Sequence, residues 1–191
     1  MYVDRLYQPV MTLGPGTRIG LWTYGCSKHC EGCANPELWD IPRGAPNLDP
    51  REVVGLLDTL HRRTGIDRLT VTGGDPLEQA DDLFEVLQGV RPMFKDILVY
   101  TGYTFDQLSG VLSPAQSEQL TSLVDVLIDG PYQDECNDGV CALRGSCNQR
   151  VMIFNESLVS DYEQALQQDR MVQNVICQGR SLSIGIHGKR P

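Results

Sequence analysis

The stretch IGLWTYGCSKHCEGC, residues 19–33, joins a short apolar run to three cysteines spaced C-x3-C-x2-C. The thiolates of Cys26, Cys30 and Cys33 can hold three corners of a four-iron cluster and leave the fourth iron open to another ligand. A structural zinc site normally takes four protein ligands, and a redox dithiol needs only two cysteines. The triplet therefore favours an iron–sulfur cluster, and unrelated free thiols remain the alternative.

Length and charge restrict the class of protein. The chain has 191 residues, which suits one domain over residues 1–191 with a substantial core. Its net charge of −9, with only three lysines, argues against a nucleic-acid partner. No apolar stretch approaches the roughly 20 residues of a membrane span, and no secretory signal opens the sequence. We therefore expect a cytoplasmic protein with neither a membrane nor a nucleic-acid partner.

Downstream of the cysteines, helical and strand periodicities alternate, which predicts an α/β fold with a largely parallel sheet. The predicted helices cover residues 50–65, about 77–90, a segment from about 104, and 159–168; the predicted strands cover residues 68–72, 96–100, 124–128, 149–154 and 172–176. Residues 132–146 form a predicted long loop. Periodicity alone does not separate an open barrel from a doubly wound sheet, but both place ligands at the carboxyl ends of strands.

Six sequence blocks, in order from Gly14 to about Asn155, carry a family resemblance. They are GPGTR at 14–18, the cysteine loop with ANPELWD through 40, TGGDPL at 72–77, YTGYT at 100–104, DGPY at 129–132 and RGSCNQR at 144–150. The triplet resembles that of the radical S-adenosylmethionine enzymes. The later blocks resemble the activating enzymes of anaerobic ribonucleotide reductase. Residues 156–191 lie beyond the blocks and form an expected family-divergent extension.

The resemblance implies a partial, open (β/α) barrel of about five to six parallel strands. It also implies a [4Fe-4S] cluster on Cys26, Cys30 and Cys33. S-adenosylmethionine would bind beside that cluster. The residues that the resemblance places on this cofactor are Gly32 and Ala34 near the adenine, Gly73, Gly74 and Asp75 near the methionine amino group, Thr101, Arg144 and Arg150.

Ordinary structural roles compete with these assignments. Gly73, Gly74 and Asp75 also suit a plain turn from strand to helix, and Thr101 could simply end its strand. Arginine is mostly exposed, so Arg144 and Arg150 could be solvated instead of binding a carboxylate.

Four further cysteines depart from the family pattern. They are Cys136, Cys141, Cys147 and Cys177. Their loose spacing is compatible with unrelated thiols, with a second metal site, or with a redox-sensitive disulfide.

The function implied by the resemblance is that of an activase. Such an enzyme cleaves S-adenosylmethionine reductively and generates a glycyl radical on the large subunit of anaerobic ribonucleotide reductase, with a flavodoxin- or ferredoxin-type electron donor. The extra cysteines leave open a radical maturase acting on a peptide or small molecule. A non-catalytic iron–sulfur protein is a third hypothesis, but it leaves Gly73 and Gly74 without a purpose.

Overall fold

A six-stranded sheet forms the centre of the molecule. The computed structural model describes residues 1–177 and 180–188, without the side chains of Cys177 and Arg180. The strands lie in chain order: β1 Val3–Val10, β2 Arg18–Thr23, β3 Arg68–Gly73, β4 Asp96–Tyr100, β5 Val126–Asp129 and β6 Arg150–Ile153. Strands β2 to β5 are parallel, whereas β1 and β6 are antiparallel edges. Since the sheet ends at β1 and β6 without closing, the predicted partial, open α/β barrel is confirmed.

Four α-helices and a hairpin complete the described fold. They are α1 Pro50–Thr64, α2 Ala80–Val90, α3 Pro114–Leu123, α4 Val159–Leu166, and the strands β7 Val172–Cys177 and β8 Arg180–Gly185. Helix α1 begins as predicted, because Asp49 caps the amide of Arg51 while Glu52 accepts from the amide of Asp49. The helix expected from about residue 104 is instead a short 3-10 helix, Phe105–Gly110, followed by α3. None of the described helices is long and apolar enough to cross a bilayer.

The two faces of the sheet are covered differently. Along β2, Ile19 and Leu21 point to the helices, whereas Trp22 points to the other face, as strand alternation requires. On that second face Trp22 packs with Leu38 and with Ile184 of β8. The hydroxyl of Thr12 donates to the carbonyl of Ile184 at 3.0 Å. The hairpin therefore lies against the inner face of the open barrel.

At the amino ends of the parallel strands, Arg18 is completely buried. Its guanidinium pairs with Asp96 through two bonds, from Nη1 to Oδ2 at 2.6 Å and from Nη2 to Oδ1 at 3.0 Å. The remaining donors reach the hydroxyl of Thr70 and the carbonyls of Leu69 and Pro15. One side chain thus joins β2, β3 and β4, and its charge is fully hydrogen-bonded, as burial demands.

The Asp96 carboxylate has further partners on other elements. Tyr162 of α4 donates to Oδ1 at 2.9 Å, and Nη1 of Arg68 lies 3.3 Å from Oδ2. The network therefore also fixes α4 against the sheet.

We expect Asp96→Asn to lower the free energy of unfolding by about 3–5 kcal/mol, because it leaves the Arg18 charge buried without its counter-charge. The measurement is a urea unfolding curve under anaerobic conditions. Asp58→Asn is the matched control, since Asp58 pairs with Arg62 on the exposed surface of α1, where such a change costs about 0–1 kcal/mol. Equal midpoints for the two variants would contradict the assigned role of the buried pair.

Candidate iron–sulfur centre

The cysteine loop follows β2 and closes on itself. The amide of Gly25 donates to the carbonyl of Leu38 at 2.9 Å, and that of Cys26 donates to the carbonyl of Trp39 at 2.9 Å. Inside the loop, the amide of Cys33 donates to the carbonyl of Cys30 at 3.1 Å. These bonds hold the three cysteines in a compact turn at the carboxyl end of β2.

Gly73 and Gly74 fasten the end of β3 to this loop. The amide of Gly74 donates to the carbonyl of Thr23 at 2.7 Å, and that of Asp75 donates to the carbonyl of Gly25 at 2.7 Å. A Cβ atom on Gly74 would lie 2.3 Å from the Gly25 oxygen, and one on Gly73 would lie 2.3 Å from the Thr23 nitrogen. Both glycines are therefore required by close backbone packing against the cysteine loop, a role distinct from direct contact with a ligand.

Asp75 links three loops at the carboxyl ends of β2, β3 and β4. Its buried carboxylate accepts from the hydroxyl of Thr101 at 2.9 Å and from the amide of Gly102 at 2.9 Å. Nζ of Lys28, in the cysteine loop, lies 3.1 Å from the same carboxylate. Burial lowers the pKa of Lys28, but the charge and hydrogen bond of Asp75, together with Tyr103 and Glu78, outweigh it and raise the pKa, so the ammonium stays protonated.

Lys28 also lies over the ring of Tyr103, with Nζ 3.0 Å from the ring centroid. The role of Lys28 was not predicted from the sequence, because an isolated lysine in a loop has the ordinary signature of a solvated side chain. The sequence feature that could have indicated its role is its position between Cys26 and Cys30.

The two arginines proposed as carboxylate ligands have protein partners. Arg150 donates from Nε to Oδ1 of Asp129 at 3.0 Å, with a second bond to the same carboxylate. Arg144 donates from Nη1 to the carbonyl of Gln149 at 3.2 Å, and its buried Nε has no hydrogen-bond partner in the described part of the chain. Their role toward the cofactor stays a prediction.

A cavity of about 200 Å³ opens at the carboxyl ends of the strands. The residues predicted from the sequence that line it are Cys26, Cys30, Gly32, Cys33, Ala34, Gly74 and Thr101. Gly73, Asp75, Arg144 and Arg150 are not part of this lining in the described structure. Residues 183–188, in and after β8, form another wall. Predicted site residues from three separate sequence blocks therefore meet in one cavity.

Tyr132 supplies an aromatic ring beside the cysteine loop. It lines the cavity, and a Cβ atom on Gly32 would lie 3.0 Å from Cε1 of its ring. The Tyr132 hydroxyl lies 2.7 Å from Oδ1 of Asp134 and accepts from Nδ2 of Asn137 at 2.9 Å. Gly32 thus makes room for a ring that comes from a distant block, which the sequence alone did not reveal.

The three thiols of the cysteine loop suit an iron–sulfur cluster. Among the described residues, only Asp138, Cys141 and Cys147 bring three ligand atoms within 4.8 Å of one another. The three thiols of the cysteine loop do not form such a group in the described part of the chain, and three thiolates are the ligand set for three corners of a four-iron cluster. Burial raises the pKa of the Cys26 and Cys30 thiols, so cluster assembly must displace their protons.

Space and one free donor are also present for a second ligand. Trp39 lines the cavity, and its buried Nε1 has no hydrogen-bond partner in the described structure. The backbones of Gly74, Gly102 and Gly130 come to the same surface. The residues present therefore fit a cluster with a bound organic cofactor.

The extra cysteines lie elsewhere on the chain. Sγ of Cys136 lies 3.4 Å from Oε1 of Gln133, whereas Cys141 and Cys147 meet each other and Asp138. The side chain of Cys177 lies outside the described residues.

Comparisons with known proteins place these features in a family context. The family described as "4Fe-4S single cluster domain" matches residues 12–152. The anaerobic ribonucleoside-triphosphate reductase-activating protein of Escherichia coli strain K12 is 36% identical over 153 residues, covering 76% of this chain and 94% of that protein. The protein of the same name in Vibrio cholerae is 34% identical over 157 residues, covering 78% and 96%. That of Enterobacteria phage T4 is 34% identical over 155 residues, covering 79% and 93%.

We expect Gly74→Ala to reduce iron content after anaerobic reconstitution to less than about half that of the unmodified chain. The added Cβ would force the end of β3 away from the Gly25 carbonyl and loosen the cysteine loop. Iron and sulfide counts per chain provide the measurement. Gly55→Ala is the control, because a Cβ at Gly55 on α1 meets nothing within 4 Å and should be neutral or stabilising by about 0.4–1 kcal/mol. Full iron loading with weakened cofactor binding would instead favour a direct ligand contact at Gly74.

Lys28→Met should destabilise the chain by about 3–5 kcal/mol, because the buried Asp75 carboxylate loses its cation. We also expect faster loss of iron to a chelator, since Lys28 lies within the cysteine loop. Lys95→Met provides the control, because Lys95 pairs with Asp67 in an exposed ion pair and should lose less than about 1 kcal/mol. Urea midpoints and chelation rates similar to those of Lys95→Met would show that the Lys28 contact is unimportant.

Proposed function

This chain belongs to the family of anaerobic ribonucleoside-triphosphate reductase-activating proteins, and we propose that it is a radical S-adenosylmethionine activase. Its substrate would be a glycine of the large subunit of an anaerobic ribonucleotide reductase. The observation that carries this proposal is the meeting of Cys26, Cys30 and Cys33 in one cavity with backbone from the glycine-rich end of β3.

A [4Fe-4S] cluster held by these three thiolates would supply the electron that cleaves S-adenosylmethionine to methionine and a 5′-deoxyadenosyl radical, which takes hydrogen from the glycine Cα. The protein's part is to hold and enclose the reactants. Cys26, Cys30 and Cys33 would hold three irons of the cluster and leave the fourth available to the cofactor. The N–H of Trp39 is a hydrogen-bond donor available to the cofactor. The nearby glycine backbones are surfaces that the cofactor can approach closely.

Three loops must stay together for this chemistry. The Lys28–Asp75–Thr101 contacts connect the ends of β2, β3 and β4 beneath the cavity. The Thr101 hydroxyl is already engaged with Asp75, so in this proposal it acts on the cofactor mainly by positioning the backbone of Gly102. Apolar side chains, Leu13, Trp22 and Ile184, line part of the cavity and would limit water around a radical.

A polypeptide loop is the proposed substrate because the sheet is open between β1 and β6. The hairpin β7–β8 occupies part of this opening through its contacts with residues 9–12, so the segment of the partner would enter beside the hairpin. We further propose a flavodoxin- or ferredoxin-type electron donor and a cytoplasmic location.

The decisive experiment incubates the anaerobically reconstituted chain with S-adenosylmethionine, a reductant and the reductase large subunit encoded in the same genome. We expect methionine release and a glycyl radical signal in the electron paramagnetic resonance spectrum. Cys30→Ala should abolish both, together with most iron absorbance, whereas Cys136→Ala should retain them. Cys136 lies outside the cavity lining. The Cys136→Ala variant therefore tests whether replacing a cysteine remote from the cavity also impairs cofactor cleavage and radical formation.

Each negative outcome of this experiment contradicts a different part of the proposal. Full cluster absorbance and cleavage in Cys30→Ala would overturn the ligand assignment. Cofactor cleavage without a glycyl radical on the reductase would refute the activase proposal and favour the radical maturase acting on another substrate. An iron-loaded chain that never cleaves the cofactor would favour a non-catalytic iron–sulfur protein.

A further inference from the structure

A second group of ligand atoms lies on the loop between β5 and β6, away from the cysteine loop. Sγ of Cys141 lies 2.7 Å from Sγ of Cys147 and 3.1 Å from Oδ2 of Asp138, and Sγ of Cys147 lies 2.8 Å from the same oxygen. Two sulfurs and one carboxylate oxygen therefore form a triangle. Cys141 is half-buried, whereas Asp138 and Cys147 are exposed.

The Asp138 carboxylate is oriented toward the sulfurs by the backbone. Its Oδ1 accepts from the amide of Val140 at 2.9 Å and from the amide of Cys141 at 3.0 Å, while Oδ2 is left to the sulfurs. The amide of Cys147 donates to the carbonyl of Cys136 at 2.9 Å, which fixes the other end of the segment. Hydrogen bonds that aim a ligand in this way are characteristic of metal sites in proteins.

Arg170, which follows α4 and is not part of this loop, donates several hydrogen bonds to it. Its side chain is only 6% exposed and donates to Oδ1 of Asn137 at 2.8 Å and to the carbonyls of Cys141 at 3.0 Å and Gly145 at 3.0 Å. The loop therefore has a defined shape in which the three ligand atoms converge.

We propose that Asp138, Cys141 and Cys147 bind one zinc ion, separate from the iron–sulfur cluster. Two thiolates and a carboxylate are a donor set that zinc accepts, with about 2.3 Å to sulfur and about 2.0–2.2 Å to oxygen. A tetrahedral ion at these lengths needs the two sulfurs to separate by about 1.1 Å and the two sulfur–oxygen sides to lengthen by about 0.5–0.8 Å. The exposed side chains of Asp138 and Cys147 allow this movement. These are one protein ligand fewer than a closed structural zinc site has, so the ion takes the open form of zinc site, in which water fills the fourth position. Two thiol protons leave to solvent on binding.

Zinc at this position would stabilise the loop between β5 and β6, whose first part lies beside the cysteine loop. The loop also carries Tyr132, which covers Gly32 of the cysteine loop. A bound ion joining residues 138 and 147 would restrict the part of the loop that follows this ring. The inference concerns the loop's own ligands and does not depend on the proposed activase function.

The test uses the full-length chain, reconstituted anaerobically with iron and sulfide and then given zinc sulfate. After gel filtration with a competing chelator, iron and zinc are counted by mass spectrometry. We expect about one zinc per chain in addition to the cluster iron. The zinc K-edge absorption spectrum should fit two sulfur and two oxygen or nitrogen neighbours, a readout that iron does not obscure.

Cys141→Ser and Cys147→Ser should each weaken zinc binding by more than about 100-fold, since even the loss of an outer partner costs 10–100-fold, and should keep their iron. Cys136→Ser is the matched control from the same loop, because its sulfur contacts Gln133 rather than the triangle, and it should keep the zinc. No retained zinc, zinc loss in Cys136→Ser, or four sulfur neighbours would overturn the proposal. So would a Cys141–Cys147 disulfide in the anaerobic protein, or extra iron in place of zinc.

Discussion

The buried pair of Arg18 and Asp96 is the constraint on which the arrangement of the parallel strands depends. Its hydrogen bonds connect the amino ends of β2, β3 and β4, which are separate segments of the chain. A buried charge that is hydrogen-bonded on every side tolerates little displacement, because any lost partner leaves an unsatisfied charge in a low dielectric. Because the amino ends of β2, β3 and β4 are held together, their carboxyl ends, with the loops that follow, also lie side by side at the opposite edge of the sheet.

The carboxyl ends carry the corresponding polar network. There, Lys28, Asp75 and Thr101 connect the loops that follow the same three strands. Gly73 and Gly74 bring the backbones of two of those loops together without side chains between them. The cavity thus lies directly above a rigid base, and the cysteines belong to a loop with anchors at both ends.

Local sequence patterns predicted many of the helices and strands that position the candidate site. The periodicities over residues 50–65 and 68–72 predicted helix α1 and strand β3, because the contacts that determine these elements are near in sequence. Strand β1 escaped prediction since it is an edge strand, irregular in register and half-exposed along much of its length, without clean alternation. The cysteine spacing indicated the cluster, but the meaning of Lys28, Tyr132 and Arg18 depends on partners brought together only by folding. The reason for Gly74 likewise became visible only when the Gly25 carbonyl was found 2.3 Å from its missing Cβ.

The hairpin β7–β8 has a consequence for the way the site is completed during synthesis. A chain leaves the ribosome with its amino end first, and early segments begin to fold before later ones exist. The three cysteines therefore emerge well before residues 183–188, which form one wall of the cavity. During that interval the nascent site has an open side through which iron and sulfide can be delivered. Arrival of the hairpin then narrows this opening.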